Sequence, residues 1–330
     1  MVNKIVFISI CIFLVSCNKN KRADIYQEHR NNIVNVKAQL QEIKINEDDV
    51  LIGNYSTTHI LGQYLLIENF KSPDKLVSIF DKNDFKYLTS TGNRGEGPNE
   101  ILNPGIMGTD DIHGKFYITD HAKLKIFSFD IDSVLEDPLH YTPIVKVNID
   151  ESNFPSEYEY INDTLCVGRC ITPIGTNNYT PSAAKWNMIT GEIIPLSMNG
   201  PKIEKKRVVC ASSSDYKLVA EMYTHHDLIS IFDFNGNLRC NIYGPDWGED
   251  KIYCFSWGTF CHDKLIVSYS GTMERMLNKL IVFDVNGNYI KTLDVGYPIN
   301  YLCYDKGNNR LILALNDEMQ FAYLNLKDLI

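Results

Sequence analysis

The sequence lacks both an excess of positive charge and the compositional bias of a non-globular chain. Its 330 residues include 32 Lys and Arg against 41 Asp and Glu, a formal net charge of −9. We therefore expect no nucleic-acid partner, because proteins that bind nucleic acids generally carry clustered basic charge. With 44% hydrophobic and 22% charged residues, the chain is neither disordered, nor collagen-like, nor a coiled coil.

Recognisable catalytic motifs are also missing. The chain has no Gly-x-Ser-x-Gly nucleophile turn, no His-Glu-x-x-His zinc motif and no EF-hand calcium loop. Gly92, Gly95 and Gly97 do not form a phosphate loop, because no Lys-Ser or Lys-Thr follows and Glu96 would repel phosphate. We assign no catalytic residue and predict no cofactor. Calcium or zinc in a central channel stays open as an alternative.

Cysteine usage does not fit a disulfide scaffold. The chain has nine cysteines, and loss of Cys11 together with lipid attachment at Cys17 would leave seven. An odd number leaves at least one thiol free, and a chain of this size does not need disulfides. Cys166 and Cys170 have no partner pair at zinc spacing, so no metal site is predicted there. We interpret most cysteines as buried small hydrophobic residues.

The long hydrophobic run is confined to the start of the chain. Ile5 to Val15 follows Lys4 and is typical of a signal-peptide core, being short for a transmembrane helix. The run ends in Leu14-Val15-Ser16-Cys17, which resembles the lipoprotein box of bacterial lipoproteins. The resemblance implies that residues 1–17 are a lipoprotein signal peptide and that Cys17 is acylated. A transmembrane anchor is the alternative.

Residues 18–32 are predicted to be a tether. The stretch from Asn18 to Arg22 is polar and basic, which suits a position beside anionic lipid head groups. Lipoproteins of the Bacteroidetes that reach the cell surface often carry acidic residues directly after the cysteine, and this chain does not. We therefore expect a lipid-anchored protein of the cell envelope, in the outer membrane and facing the periplasm rather than the cell surface.

The rest of the chain repeats. A strand-like run ending in an aromatic residue, often followed by Asp, recurs at six positions: Phe80, Phe127, Trp186, Phe232, Phe283 and Tyr323. The spacings are 47, 59, 46, 51 and 40 residues, which suits four-stranded units. Asn235-Gly236 and Asn286-Gly287 follow two of the copies and predict type I′ hairpin turns.

Six repeats predict an all-β chain that folds as a single six-bladed β-propeller over residues 33–330. The last blade runs out of chain after Leu326, and residues 33–40 alternate with period two. We therefore predict that residues 33–40 supply the missing outer strand and close the ring. Two packed β-sandwiches are the alternative.

Two segments resemble known propellers. Residues 116–127 are similar to an NHL-type repeat, with Asp120 at its turn, and residues 91–100 are similar to the Arg-Gly-x-Gly-Pro-x-Glu loop of TolB-like six-bladed-propeller lipoproteins of Bacteroides. The resemblance implies fold and location more than activity.

Candidate ligand-binding residues lie in predicted turns. His225 and His226 stand between two strands, and His121 and Arg275 occupy the equivalent turns of other blades. If these turns share one face of the propeller, their side chains would converge at a channel mouth; the alternative is a solvated loop. Arg94 in the glycine-rich loop is a candidate ligand group. Trp247 is a candidate for stacking on a sugar or peptide.

These observations favour a membrane-anchored binding or scaffold module. Its partners would be the membrane, through lipid on Cys17, and a protein, peptide or glycan held at a loop face. The alternative is a propeller enzyme, a lyase or hydrolase, with a metal-assisted site in the central channel. Histidines and carboxylates converging at one channel mouth would favour the enzyme.

Overall fold

The computed structural model describes residues 23–176, 178–249 and 253–330. The predicted signal peptide, Cys17 and the first residues of the predicted tether lie outside the described residues. Within those limits no helix is long and apolar enough to cross a membrane. The helical elements described are α1 (Ile131–Glu136) and a 3₁₀ turn at Lys37–Gln39.

Almost all regular structure is β-strand. The N-terminal strands are β1 (Ala23–Tyr26), β2 (Ile33–Asn35) and β3 (Gln41–Glu42). The strands of blades 1 to 3 are β4 (Ser56–Leu61), β5 (Tyr64–Asn69), β6 (Lys75–Asp81), β7 (Tyr87–Asn93), β8 (Gly108–Asp110), β9 (Lys115–Asp120), β10 (Lys125–Asp130), β11 (Ile144–Asn148), β12 (Phe154–Asn162), β13 (Leu165–Gly175), β14 (Asn178–Trp186) and β15 (Ile193–Pro195). The strands of blades 4 to 6 are β16 (Val208–Ser213), β17 (Leu218–Tyr223), β18 (Leu228–Asp233), β19 (Leu238–Tyr243), β20 (Tyr253–Cys261), β21 (Lys264–Thr272), β22 (Lys279–Asp284), β23 (Tyr289–Asp294), β24 (Ile299–Asp305), β25 (Arg310–Leu315) and β26 (Phe321–Asn325).

These strands form six sheets arranged as a six-bladed β-propeller. Each sheet contains consecutive antiparallel strands, and the first strands of neighbouring blades contact one another around a ring that includes β24 and β4. The aromatic landmarks all lie on the third strands, so the predicted repeat is confirmed. The hydrophobic core is divided into clusters between adjacent blades, including one between blades 6 and 1. Two separate β-sandwiches would not give this ring of clusters.

The Asn-Gly hairpins differ from the predicted type I′ turns. Gly236 and Gly287 have φ of 83° and 90°, but the preceding asparagines do not have positive φ. The strands shift register one step before each turn, at Phe232 and Phe283. This geometry is a three-residue loop closed by a bulge, in which the glycine alone takes the left-handed conformation. The type I′ prediction was therefore wrong, although the hairpins are where it placed them.

Residues 23–42, here called the N-terminal strap, run along the outer edges of three successive blades. β1 pairs in parallel with β19 of blade 4, and β2 pairs in parallel with β23 of blade 5. β3 pairs antiparallel with β26 and is the fourth strand of blade 6. An N-terminal strand therefore closes the ring, but residues 41–42 supply it rather than the predicted 33–40. The predicted tether, 18–32, is also corrected, because β1 belongs to the propeller.

Blades 1 and 6 are joined by charge as well as by apolar packing. Lys82 Nζ and Arg310 Nε each lie 3.0 Å from the buried carboxylate of Asp305. The Arg310 guanidinium also donates to the carbonyl of Lys82. The seam where the ring closes thus has a satisfied ionic network, which a buried carboxylate requires.

The seven cysteines of the described chain are all free thiols. Six are buried and Cys303 is partly buried. Burial raises their pKa, to about 11 for Cys240 and to about 12 for Cys303. These thiols are therefore protonated packing groups at neutral pH, as the sequence indicated.

Candidate ligand-binding cleft

A cavity of about 390 Å³ lies in the central channel. A second cavity, of about 540 Å³, opens on the face of the propeller where the second strand of each blade turns into the third. The second cavity, here called the cleft, is walled by long hairpins. β13 and β14 of blade 3 have eleven and nine residues and β21 of blade 5 has nine, whereas β17 and β18 of blade 4 have six each. Because a strand rises about 3.3 Å per residue, the hairpins of blades 3 and 5 extend past blade 4 and leave the cleft above it.

Three of the predicted site residues line the cleft: His121, His225 and Arg275. They come from the turns of blades 2, 4 and 5 between second and third strands, which share one face. His226 points elsewhere, with its ring against Tyr223 and Trp247. The structure therefore brings together three of the four side chains that were expected to converge. Ligand binding by them remains a prediction.

The two lining histidines are held by neighbouring groups. His121 Nε2 donates to the carbonyl of Pro155 at 3.1 Å, and its ring contacts Phe154. Burial lowers the pKa of His121, so its imidazole is neutral at neutral pH. His225 packs against the ring of Tyr253, with ring centroids 5.1 Å apart.

Sequence analysis missed most of the cleft lining, including Arg169, Tyr179, Arg207 and Tyr253. The guanidinium of Arg207 lies 4.5 Å from the ring centroid of Tyr179 and donates to the Tyr179 carbonyl at 3.1 Å. Tyr179 and Tyr253 are 41% and 36% exposed, enough surface for a ligand to contact. The sequence did contain one signal for the cleft, the long strand-like run that forms β13 and β14. The blades on both sides of the cleft have longer strands than blade 4.

The floor of the cleft is an ion pair. Arg169 Nε lies 3.4 Å from Glu157 Oε2, and both side chains are largely buried. Burial raises the pKa of Glu157, and the Arg169 guanidinium opposes that rise. Arg169 lines the cleft and Glu157 lines the channel cavity, so this pair separates the two spaces.

The cleft is cationic. Arg169, Arg207 and Arg275 line it, and no Asp or Glu is among its described lining residues. Across the described ranges there is also no group of three or more His, Cys, Asp or Glu that could hold a metal ion. Guanidinium groups beside aromatic rings suit recognition of an anion.

Arg94 and Trp247 lie outside the cleft lining. Arg94 Nη1 donates to the carbonyl of Phe70 at 2.8 Å. A Cβ on Gly95 would lie 2.0 Å from the Glu100 carboxylate, which in turn accepts the Gly97 amide. The glycine-rich segment is thus a packed loop between blades 1 and 2, and its glycines are needed for close approach.

Trp247 occupies a half-buried position between blades 4 and 5. Its ring meets Tyr243 edge-on at 4.7 Å and contacts His226 at 5.8 Å. The sequence made Trp247 a candidate for stacking on a ligand. In the structure its described contacts are packing contacts at the rim.

The N-terminal strap reaches the underside of the cleft. Arg30 Nη1 lies 2.9 Å from Oδ1 of Asp227, a fully buried residue in the turn that carries His225. The guanidinium sits between aromatic rings, 5.4 Å from Tyr269 and 5.9 Å from Phe255. Phe255 also lines the cleft. The strap and the cleft therefore share one packed layer between blades 4 and 5.

Comparison with known proteins agrees with the six-bladed β-propeller that the six sheets form. A family model described as "DUF5128: 6-bladed beta-propeller" matches residues 43–161, less than half of the chain. No curated protein sequence matches the chain.

Solved structures share the fold at low identity. A Bacteroides fragilis protein described as exported is 11% identical, with a TM-score of 0.52, over 88% of this chain and 87% of its own. A luciferin-regenerating enzyme is 9% identical, with a TM-score of 0.57, over 87% and 95%. U3-55K is 10% identical, with a TM-score of 0.53, over 82% and 80%. At such identities the likeness shows the propeller fold alone.

Proposed function

We propose that this protein is a lipid-anchored binding propeller of the cell envelope and that the cleft is its recognition site. The observation that carries the proposal is the cationic, aromatic-lined cleft walled by the hairpins of blades 3 and 5. Its volume of about 540 Å³ lies in the range typical of ligand sites. The resemblance to TolB-like lipoprotein propellers of Bacteroides belongs to this proposal, as does the outer-membrane location facing the periplasm.

The lipid would hold one edge of the propeller near the membrane. A chain of six residues, the separation of Cys17 from Ala23, spans at most about 20 Å. Ala23 begins β1 on the outer edge of blade 4, the blade beneath the cleft. An anchor at Cys17 would therefore hold the outer edge of blade 4 close to the membrane surface.

Anchoring is tested with Cys17→Ser in the full-length chain. We expect the wild type to incorporate labelled fatty acid and to sediment with membranes, and the variant to lose both properties. Equal sedimentation and labelling of the two proteins would contradict lipid attachment at Cys17.

Recognition is tested by site-specific cross-linking. A photoreactive phenylalanine at position 253 lies in the cleft, and the same group at position 262 lies at the exposed opposite mouth. In intact envelopes we expect a discrete adduct from position 253 and none from position 262. Adducts of equal yield from both positions, or none from position 253, would contradict a recognition site in the cleft.

The enzyme alternative predicts a bound metal. Its ligands would be carboxylates and histidines at a channel mouth. Such side chains do line the channel cavity, but the described residues contain no group of three or more His, Cys, Asp or Glu that could hold a metal ion. We therefore favour binding over catalysis.

A further inference from the structure

We propose that the cleft binds an extended acidic peptide segment in which Asp or Glu side chains alternate with apolar side chains. This inference rests on the proposed function and specifies its ligand. Three features of the lining support it. Two guanidinium groups have no carboxylate partner, apolar side chains line the cleft beside them, and side-chain hydrogen-bond acceptors are few.

Two guanidinium groups of the cleft are not neutralised within the described chain. Arg30, Arg169 and Arg310 each face a carboxylate. Arg207 and Arg275 form none of the ion pairs found among the described residues.

Both free arginines are oriented by neutral groups. Arg207 Nη1 donates to the carbonyls of Tyr179 and Lys206, and Arg275 Nη2 donates to Ser256 Oγ at 3.2 Å. These contacts occupy one donor nitrogen of each guanidinium group without neutralising its charge. A planar guanidinium with donors to spare pairs best with a carboxylate, which it can hold by two hydrogen bonds.

Apolar surface separates the two charges. Phe154, Ile171 and Leu277 line the cleft beside the partly exposed rings of Tyr179 and Tyr253. At the rim, Ile174 and Met273 are 58% and 76% exposed, on the hairpin of blade 3 and after β21 of blade 5. A ligand that satisfied the arginines alone would leave this surface in water, so the occupant carries apolar groups as well.

The lining favours a peptide over a glycan. Sugar hydroxyls donate hydrogen bonds and require acceptors, which in proteins are chiefly carboxylates and side-chain amides. Among its described residues the cleft has no Asp, Glu, Asn or Gln, and its side-chain acceptors are limited to hydroxyls and histidine nitrogens. An extended peptide with side chains on alternating sides can instead present carboxylates to the arginines and apolar groups to the rings.

The test measures binding of defined probes to the full-length protein in detergent. The probes are short peptides with Asp or Glu beside Leu or Phe, the same peptides with Asn or Gln, and an oligogalacturonate as an acidic glycan. We expect the acidic peptides to bind at least tenfold more tightly than their amides, because a hydrogen-bonded charge contributes more than a neutral one. Arg207→Gln and Arg275→Gln should each weaken the acidic peptides about tenfold and leave the amides unchanged.

Arg239→Gln is the matched control. Arg239 is exposed on β19 and lines neither cavity, so the variant changes net charge equally without altering the cleft. Equal weakening by Arg239→Gln would mean that overall charge governs binding, which would overturn the inference.

The failures of the two proposals are distinguishable. Tighter binding of the amides or of the oligogalacturonate, with a cross-link still formed from position 253, would overturn the acidic peptide and keep the recognition site. Loss of the cross-link from position 253 would overturn both.

Discussion

Blades 4 to 6 and blades 1 to 3 are built from the same four-stranded unit but differ at their outer edges. The N-terminal strap adds a parallel fifth strand to blades 4 and 5 and the fourth strand to blade 6. Among the described residues, no strand covers β7, β11 or β15. Val36 of the strap is fully buried, whereas Ile144 and Val145 on β11 are 66% and 41% exposed. One half of the ring is thus reinforced by the segment that leads to the predicted anchor, and that half contains the centre of the cleft.

The difference shows how one segment can serve three purposes. It closes the ring through β3, covers sheet edges that would otherwise present unpaired backbone groups, and buries Arg30 beneath the turn of His225. The bare half relies on its own blade contacts and on the Asp305 network at the seam. Four predictions test this comparison.

The largest effect is expected from Arg30→Met. The variant leaves the fully buried Asp227 carboxylate without its cation, and breaking a buried pair in this way costs about 3–5 kcal/mol. We expect Tm to fall by on the order of 10 °C. Arg239→Met, on the exposed surface of β19, is the control and should leave Tm nearly unchanged. Equal Tm values for wild type and Arg30→Met would show that the strap is not held by this pair.

The effect of a buried glutamate on stability should depend on pH differently in the two halves of the ring. Burial raises the pKa of Glu68 in blade 1 to about 8, and neighbouring His59 is neutral because burial lowers its pKa to about 3. The contribution of protonated Glu68 to the free energy of unfolding is therefore complete below pH 4.5 and is lost as pH rises through 8. Glu68→Gln should be more stable than wild type at pH 9 by on the order of 3 kcal/mol, with little difference at pH 4.

Glu221 in blade 4 is the matched control. Its carboxylate lies 2.7 Å from Lys206 Nζ, so Glu221→Gln should destabilise the protein at pH 9. Urea unfolding at the two pH values makes the comparison. A stabilised Glu221→Gln, or a Glu68→Gln without pH dependence, would contradict the assignment of charge to these two sites.

A pair of valine variants measures the reinforcement of the strapped edge directly. Val36→Ala removes buried methyl groups between the strap and blades 5 and 6 and should cost roughly 2 kcal/mol. Val145→Ala on the bare edge of blade 2 should change stability by less than about 0.5 kcal/mol. Equal costs would mean that the outer edge of blade 2 is also covered in solution.

The smallest effect is expected from removal of metal ions. The cleft is lined by arginines, and no metal-binding cluster occurs within the described ranges. Treatment with EDTA should therefore leave Tm unchanged, and calcium or zinc should not raise it. A stoichiometric metal whose removal lowers Tm would favour the metal-assisted enzyme instead.

Much of the fold is predictable because the repeat is local. Landmarks such as Phe127 and Phe232 lie on third strands and pack between blades, so their recurrence along the sequence reports the number of blades. The path of the strap is less predictable, because parallel pairing of β1 and β2 uses backbone groups that any residue provides. Period-two alternation in residues 33–40 indicated a strand but not its partner, and the closing strand, at residues 41–42, follows directly after that stretch.

The site is predictable in part for a related reason. His121, His225 and Arg275 occupy equivalent turns, so their common face follows from the repeat itself. Arg207 and Tyr179 lie in a linker and on a lengthened hairpin, outside the repeating unit, and they meet across the boundary between blades 3 and 4. Distances between blades depend on packing of the whole ring, which spacing along one chain does not report.

The central claim is that ligands are recognised at the cleft above blade 4. Hydrogen exchange of the full-length protein, with and without the tightest-binding acidic peptide, tests it most directly. We predict slower exchange of the backbone amides in the two hairpins that wall the cleft, at residues 172–176, 178–180 and 271–277. We predict no change at the turns of the opposite mouth, including residues 214–216 and 306–308. Protection at the opposite mouth, with the two cleft hairpins unchanged, would contradict the account.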